Sequence, residues 1–193
     1  MSDPGGGLRD SAVINLTGAV TLIVDDSAFS LDVTVQALRA FGIKHRYLCH
    51  SAEQAMELLK ERAIDLMLVD CEMPGMDGHE LVRWLRNSGL EPNAVIPIIM
   101  TAGHVRKSKV NAVRDCGANF LVTKPFSASS LLERIVWVAR DTRPFLEVGD
   151  YKGPDRRYNE PTPRNFNERR ADMRILAEAR TRPAEATATE ASQ

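Results

Sequence analysis

The segment Val20-Thr21-Leu22-Ile23-Val24 is a short run of β-branched and apolar residues, and four similar runs follow it before residue 125. The other runs are Arg46–Cys49, Leu66–Val69, Val95–Met100 and Phe120–Thr123. They are apolar along their whole length rather than at alternate positions. This pattern is typical of strands that are buried on both faces, as in a parallel sheet covered by helices.

The stretches between and after these runs have helical spacing of their apolar residues. The five stripes are Leu31, Val35, Leu38 and Phe41; Ala52, Met56 and Leu59; Leu81, Trp84 and Leu85; Val110, Val113 and Cys116; and Leu131, Ile135 and Val138. Strict alternation of strand and helix predicts an α/β fold. With right-handed crossovers, we expect a flavodoxin-like, doubly wound five-stranded parallel sheet in the order 2-1-3-4-5, with five helices.

The composition is that of a globular protein without a strong overall charge. The 193 residues are 44% hydrophobic and 26% charged, and the formal net charge is −1. No global field would therefore attract nucleic acid or a membrane surface. The three cysteines are widely spaced and do not suggest a disulfide framework. We find no secretory signal pattern and no apolar run of membrane-spanning length, so we expect a cytoplasmic protein without membrane contact.

Three regions follow from the pattern. Residues 1–17 are rich in glycine and predicted to be flexible, and residues 18–141 form the predicted domain. Residues 142–193 are a C-terminal extension, expected to be largely irregular and partly disordered, with a possible short amphipathic helix near 166–180. Three interpretations of the extension stay open: docking on a protein, including this chain's own domain; plain disorder; and nucleic-acid or nucleotide binding. No helix-turn-helix fits after residue 142, which disfavours DNA as a partner.

Polar side chains follow four of the predicted strands at the edge where ligands gather in such sheets. Asp25 and Asp26 follow the first strand, Asp70 ends the third, Thr101 ends the fourth and Lys124 follows the fifth. Crowded carboxylates repel one another by about 4 kcal/mol per pair at ~4 Å and an effective dielectric near 20. A hard divalent cation such as Mg²⁺ would remove that penalty. Carboxylates, a lysine and a hydroxyl together fit the handling of a phosphoryl group.

Four motifs resemble the receiver domains of two-component response regulators, in particular stand-alone, chemotaxis-type receivers. They are Val24-Asp25-Asp26-Ser27, the run from Val69 to Gly78, Met100-Thr101-Ala102 and Lys124-Pro125-Phe126. The resemblance covers residues 19–140. It implies a phosphoprotein that accepts a phosphoryl group on Asp70 as an aspartyl phosphate.

The resemblance also implies roles for the other residues. Asp26 and Asp70 would bind Mg²⁺ through their carboxylates, Glu72 through its backbone carbonyl and Asp25 largely through water. Thr101 would donate its hydroxyl to the phosphoryl group and act as a switch residue, and Lys124 would pair with a phosphoryl oxygen. The Lys124-Pro125 bond would be cis, as a tertiary amide allows at low cost.

One position departs from the family. Receivers usually carry a tyrosine or phenylalanine three residues before the lysine as a second switch residue, and this chain has Leu121 there. Phe120 is adjacent and should point to the opposite side of the strand. The departure predicts either a weaker switch or a different output surface.

Three hypotheses follow for the function. The first is a receiver phosphorylated by a sensor histidine kinase or a histidine phosphotransfer protein, which signals by contact with an unknown downstream protein. Its only catalysis would be Mg²⁺-dependent self-phosphorylation and slow self-dephosphorylation. The second is a receiver-like scaffold or adaptor that is never phosphorylated. The third is a phosphohydrolase that uses Asp70, which is disfavoured because the first strand lacks an Asp-x-Asp arrangement.

Overall fold

The structure is a computed structural model and describes residues 16–103 and 107–156, without the side chains of 107–110. Five parallel strands form one sheet in the order β2-β1-β3-β4-β5. Their bounds are β1 Val20–Val24, β2 His45–Cys49, β3 Leu66–Asp70, β4 Ile98–Ala102 and β5 Phe120–Thr123. The predicted sheet order is confirmed.

Five helices cover the two faces of this sheet. They are α1 Ala28–Ala40, α2 Ala52–Glu61, α3 Gly78–Asn87, α4 Lys107–Cys116 and α5 Ala128–Ala139. One apolar cluster joins the sheet to α2, α3 and α4, and a second joins it to α1 and α5. The central strands β1, β3 and β4 are thus buried on both sides, as their continuous apolar runs predict, whereas the edge strand β2 is only partly buried, with Leu48 47% exposed.

Local sequence signals explain where the helices begin. The side chains of Ser27, Ser51 and Ser127 accept a hydrogen bond from the backbone N–H three residues later, at the starts of α1, α2 and α5. Asp77 and Glu80 form a reciprocal capping box at the start of α3. Each cap satisfies amide groups that the first turn of a helix leaves without a partner.

The start of β4 differs from the sequence prediction. The strand begins at Ile98, whereas the apolar run begins at Val95. Residues Asn93–Val95 instead form a short 3₁₀ turn. Pro97 has no N–H to donate to a neighbouring strand, although its carbonyl still accepts a hydrogen bond from the N–H of Met67. The proline therefore marks the boundary of the strand.

The C-terminal extension, predicted to be largely irregular, contains a hairpin that the sequence analysis did not identify. Strands β6 Phe145–Val148 and β7 Tyr151–Pro154 pair antiparallel. Gly149 has a φ of 58° and so supplies the left-handed conformation that a two-residue hairpin turn needs. The sequence has no long apolar alternation here, because the two strands are only four residues each.

The termini fall largely outside the described residues. Residues 1–15, 104–106 and 157–193 are outside, and with them the possible helix near 166–180. Leu16 is described and packs against the cluster on the α1 and α5 face, although residues 1–17 were predicted to be flexible. Within the described ranges, every helix is too short or too polar to cross a membrane.

Candidate functional site

The carboxyl edge of the sheet brings four of the predicted residues together in one buried pocket. Lys124 Nζ lies 2.6 Å from Asp25 Oδ2 and 2.5 Å from Asp70 Oδ1. Thr101 Oγ1 donates a hydrogen bond of 3.3 Å to Asp70 Oδ1. We call Asp25, Asp70, Thr101 and Lys124 the acidic pocket. Asp25, Asp70 and Thr101 are all buried.

The strands fix this geometry. Asp70 and Thr101 are direct neighbours in the register of β3 and β4, so their side chains leave the same edge at the same level. The N–H of Lys124 donates to the carbonyl of Ala102, which anchors the lysine beside the end of β4. The Lys124-Pro125 peptide bond is cis, as the family resemblance implied.

The backbone holds both carboxylates in position. The N–H of Ser27 donates to Asp25 Oδ1 at 3.0 Å, and the N–H of Glu72 donates to Asp70 Oδ2 at 2.9 Å. Each buried carboxylate therefore has one oxygen bound by an amide and the other by the ammonium group of Lys124. Charge-assisted hydrogen bonds are shorter and stronger than those between neutral groups, so these contacts fix the orientation of both carboxylates.

Lys124 responds to two opposing influences. Burial by itself lowers the pKa of an ammonium group, but the hydrogen bonds and negative charges of Asp25 and Asp70 outweigh burial and raise the pKa of Lys124. The lysine is therefore fully charged at neutral pH. Two carboxylates face one ammonium group, so this set of three carries an excess of negative charge.

The donor set fits a magnesium ion that keeps several waters. Among residues 16–103 and 107–156, no three Asp, Glu, His or Cys side chains converge as a ready-made cation site. Mg²⁺ does not require such a cluster, since it is commonly bound by one or two carboxylates with the remaining positions held by water. Asp26 is exposed beside the pocket, and the side chain of Glu72 is also exposed while its backbone lies next to Asp70.

Phe120 and Leu121, adjacent residues of β5, point to opposite faces of the sheet, as expected for a strand. Leu121 packs against the cluster on the α2, α3 and α4 face, while Phe120 packs on the opposite face against Trp137, with ring centroids 5.1 Å apart. The Arg134 guanidinium also lies over the Phe120 ring at 4.8 Å. Phe120 therefore does not replace the missing aromatic residue at position 121.

Sequence reasoning missed the reason for glycine at position 78. A Cβ at Gly78 would lie 2.0 Å from the backbone oxygen of Asp70, far inside van der Waals contact. The N–H of Gly78 also donates to the carbonyl of Cys71. The start of α3 can thus approach the end of β3 closely, which closes the loop beside the phosphoacceptor candidate. The signal was present as the last residue of the Asp70–Gly78 run, but only the close approach explains it.

A second residue that sequence reasoning missed is Arg86 near the end of α3. It is 3% exposed, and its guanidinium donates to the carbonyls of Gly117, Ala94 and Ile96 at 3.0, 2.8 and 2.9 Å. Burial lowers its pKa to about 10, so it stays charged at neutral pH. Arg86 lies one turn after buried Val82, a helical spacing that could have indicated its inward position.

Comparison with known proteins identifies the domain. A family model described as the response regulator receiver domain matches residues 21–136, which is more than half of the chain. The chain belongs to the response regulator receiver domain family. The strand order agrees with the flavodoxin-like fold that the alternation of strands and helices predicted. The family match confirms the receiver domain of two-component signalling that the four motifs indicated.

Individual relatives agree with this assignment. The phosphate regulon transcriptional regulatory protein PhoB of Pseudomonas aeruginosa is 37% identical over 143 residues, which cover 72% of this chain and 58% of PhoB. Chemotaxis protein CheY-3 of Vibrio cholerae is 27% identical over 114 residues, covering 59% of this chain and 86% of CheY-3. This chain therefore spans just over half the length of PhoB and matches most of the shorter CheY-3.

A solved structure shows the same fold. The receiver domain of the histidine kinase CKI1 from Arabidopsis thaliana, complexed with Mg²⁺, is 25% identical with a TM-score of 0.56. The similarity covers 63% of this chain and 93% of the CKI1 receiver. Receiver domains are in general signalling modules rather than enzymes.

Proposed function

We propose that this protein is a phosphorylatable response regulator whose receiver accepts a phosphoryl group on Asp70. The observation that supports this most strongly is the environment of the Asp70 carboxylate. Its Oδ1 contacts both Lys124 Nζ and Thr101 Oγ1, and its Oδ2 is held by the N–H of Glu72. A nucleophile, a hydroxyl donor and a fixed cation thus meet at one point, which is the set that phosphoryl transfer needs.

In the proposed step an oxygen of the Asp70 carboxylate attacks the phosphorus of a phosphohistidine or a small phosphodonor. A new O–P bond forms on Asp70 as the bond from phosphorus to the donor breaks, and the donor leaves with the electron pair. The Lys124 ammonium group and the Thr101 hydroxyl stabilise the negative charge on the phosphoryl oxygens. Attack by water on the acyl phosphate restores the carboxylate and releases inorganic phosphate, which is the slow self-dephosphorylation.

Magnesium is the proposed cofactor. Asp26 and Asp70 would bind it through carboxylates, Glu72 through its backbone carbonyl and Asp25 largely through water. The ion would neutralise charge on the phosphoryl oxygens and on the carboxylates. The excess of negative charge on Asp25 and Asp70 over Lys124 supports this assignment, since a divalent cation is the usual way to balance such a group.

The phosphoryl donor would be a sensor histidine kinase or a histidine phosphotransfer protein in the cytoplasm, and the output would be contact with another protein. Thr101 would move towards the phosphoryl group as the switch residue. Leu121 is proposed as the second switch position, with a smaller change than an aromatic residue would give because it already packs against an apolar cluster. DNA is not the proposed target.

The direct test is incubation with Mg²⁺ and acetyl phosphate, followed by intact-mass measurement. We expect one added phosphate in the native protein and none in Asp70→Asn. Absence of the label in the native protein would contradict the proposal and favour the scaffold hypothesis. Rapid multiple turnover without accumulation would instead favour the phosphohydrolase.

The metal has its own test. Millimolar Mg²⁺ should raise the melting temperature of the native protein, and Asp26→Ala should remove the increment. Asp32→Ala, which changes an exposed carboxylate on α1, is the matched control and should keep the increment. An unchanged native melting temperature would argue against the site.

A further inference from the structure

The hairpin β6–β7 packs against the receiver at the edge of the sheet opposite the acidic pocket. The Phe145 ring lies 5.3 Å from the guanidinium carbon of Arg86, at the end of α3. Arg156, just after the hairpin, forms an ion pair with Asp115 at the end of α4. The hairpin therefore contacts the C-terminal ends of two helices, and we call Arg86, Asp115 and Gly117 the docking face.

Two glycines allow the backbones to meet. A Cβ at Gly117 would lie 2.2 Å from the carbonyl oxygen of Lys152, and a Cβ at Gly153 would lie 2.7 Å from the Cα of Gly117. Gly117 also has a φ of 95°, which disfavours any other residue. Glycine at both positions is therefore required for the docked arrangement, and this makes the contact specific rather than a chance collapse of the extension.

The docked hairpin is held by specific contacts but adds little to the apolar core of the receiver. None of the described hairpin residues, 145–154, belongs to either apolar cluster, and Val148 is 66% exposed. The ion pair of Arg156 with Asp115 and the contact of Arg86 with the Phe145 ring join the segment to the receiver instead. Arg156 also lies 3.9 Å from the Tyr151 ring centroid, a contact within the segment itself. A two-stranded hairpin is only marginally stable by itself. Docked and undocked forms should therefore differ by a small free energy.

A chain of contacts leads from the docking face to the acidic pocket. Gly117 directly follows Cys116, whose Sγ lies 3.6 Å from Met100 Sδ in the core. Met100 directly precedes Thr101, and Thr101 contacts the Asp70 carboxylate. The end of α4 thus lies between the hairpin and the strand that carries the phosphoryl contact.

We propose that residues 144–156 act as an intramolecular clasp whose docking favours the unphosphorylated receiver and is weakened by phosphorylation of Asp70. This inference rests on the proposed function. Its direction follows from the pocket: Lys124 and Thr101 both contact the free Asp70 carboxylate directly. A phosphoryl group on Asp70 would separate the carboxylate from Lys124 and Thr101 and so change these contacts. The hairpin is docked in the structure that has the free carboxylate, so docking should favour the unphosphorylated state. By linkage, undocking must then strengthen binding at Asp70 by the same factor.

The experiment uses the full chain and the phosphoryl mimic beryllofluoride with Mg²⁺. Gly153→Ala places a Cβ against Gly117 and should undock the hairpin. Gly149→Asn is the matched control, because asparagine tolerates the left-handed turn and nothing lies within 4 Å of a Cβ there. Arg156→Gln is a second variant, which removes the ion pair to Asp115 and the guanidinium contact with the Tyr151 ring.

Hydrogen exchange of a peptide covering 143–156 reports docking without any phosphodonor. We expect protection in the native protein and in Gly149→Asn, and its loss in Gly153→Ala. Saturating beryllofluoride should accelerate exchange in the native protein. A ¹⁹F NMR titration should show about fivefold or tighter beryllofluoride binding by Gly153→Ala, and a smaller shift in the same direction for Arg156→Gln.

The outcomes separate the two proposals. A native protein that binds no beryllofluoride contradicts the proposed function, and the coupling with it. If the native protein and Gly153→Ala bind beryllofluoride equally well although the hairpin of the variant is undocked, the clasp is contradicted and the proposed function is not. Free exchange of the hairpin in the native protein also contradicts the clasp, as does tighter docking in beryllofluoride.

Discussion

The two edges of the sheet hold their buried charges in opposite ways. At the carboxyl edge, Asp25 and Asp70 share one ammonium group, so negative charge is in excess. At the amino edge, the guanidinium of Arg86 donates to three neutral carbonyls and to the side-chain oxygen of Asn119. The first arrangement is unbalanced and suited to binding a cation or reacting. The second is satisfied by hydrogen bonds and joins segments distant in sequence, which is a structural role.

This contrast predicts that the largest loss of stability comes from the amino edge. Arg86→Ala leaves the carbonyls of Gly117, Ala94 and Ile96 buried without their donor. We expect a loss of about 3 to 5 kcal/mol in the free energy of unfolding, measured by urea denaturation. Arg83→Ala, which changes an exposed arginine one turn earlier on the same helix, is the control and should change the value by less than about 0.5 kcal/mol. Equal losses would show that Arg86 does not join these segments.

The same contrast explains what the sequence could predict. Asp25, Asp70, Thr101 and Lys124 each end or follow a strand, so the parallel topology alone brings them to one edge. Arg86 is different because its partners lie in the 3₁₀ turn before β4 and in the loop after α4. No local pattern states that these loops approach α3, and a charged residue is ordinarily expected to be exposed.

Two further features could not be predicted from residue patterns: the docking of the hairpin and the separate roles of Asp25 and Asp26. The hairpin depends on the close approach of Gly117 and Gly153, which are far apart in the chain and have no periodic signature. The division of roles between Asp25 and Asp26 follows from the resemblance alone. In the structure it is Asp25 that is buried and paired with Lys124, while Asp26 is exposed.

At the carboxyl edge we expect a smaller loss that a cation can restore. Lys124→Gln leaves two buried carboxylates facing each other without their ammonium group. The free energy of unfolding should fall by about 2 kcal/mol at neutral pH, less than for a fully buried pair because the lysine is partly exposed. Millimolar Mg²⁺ should recover much of this loss. The measurement is urea denaturation with and without Mg²⁺.

Lys60→Gln provides the matched control for that variant. Lys60 forms an exposed ion pair with Glu57 on α2, at 2.7 Å, and its removal should cost less than about 0.5 kcal/mol, with no response to Mg²⁺. A Lys124→Gln variant as stable as Lys60→Gln would show that the acidic pocket carries no uncompensated charge.

The hairpin should contribute less to stability than either edge of the sheet. Phe145→Ala removes the ring from Arg86 and should lower the free energy of unfolding by about 1.5 kcal/mol, since cation–π contacts contribute about 0.5 to 2 kcal/mol each. Val148→Ala changes an exposed residue of the same strand and should have almost no effect. The loss in Phe145→Ala cannot exceed the docking free energy of the hairpin. A value above about 3 kcal/mol would therefore contradict a weakly docked clasp.

The smallest expected effect is a dependence of stability on pH above about 9, caused by the buried thiol of Cys116. Burial raises the pKa of Cys116 to about 11 from an ordinary value of 9.0. The folded protein thus keeps this proton at a pH where the unfolded chain releases it, and stability must fall as the pH rises from 9 to 11. Lys124 acts in the same direction, but only above its ordinary pKa of 10.5.

Urea denaturation at about pH 8.0, 9.5 and 10.5 separates the contribution of Cys116 to the pH dependence from that of Lys124. The cavity left by Cys116→Ala lowers stability equally at every pH. The two proteins are therefore compared by how much the free energy of unfolding changes with pH. Between about pH 8.0 and 9.5 the variant should lose about 1 kcal/mol less stability than the native protein, since a tenfold difference in proton affinity corresponds to about 1.4 kcal/mol. Parallel slopes would mean that the thiol is already ionised or accessible in the folded state. The sulfur contact between Cys116 and Met100 would then be too loose to transmit a change from the acidic pocket to the hairpin.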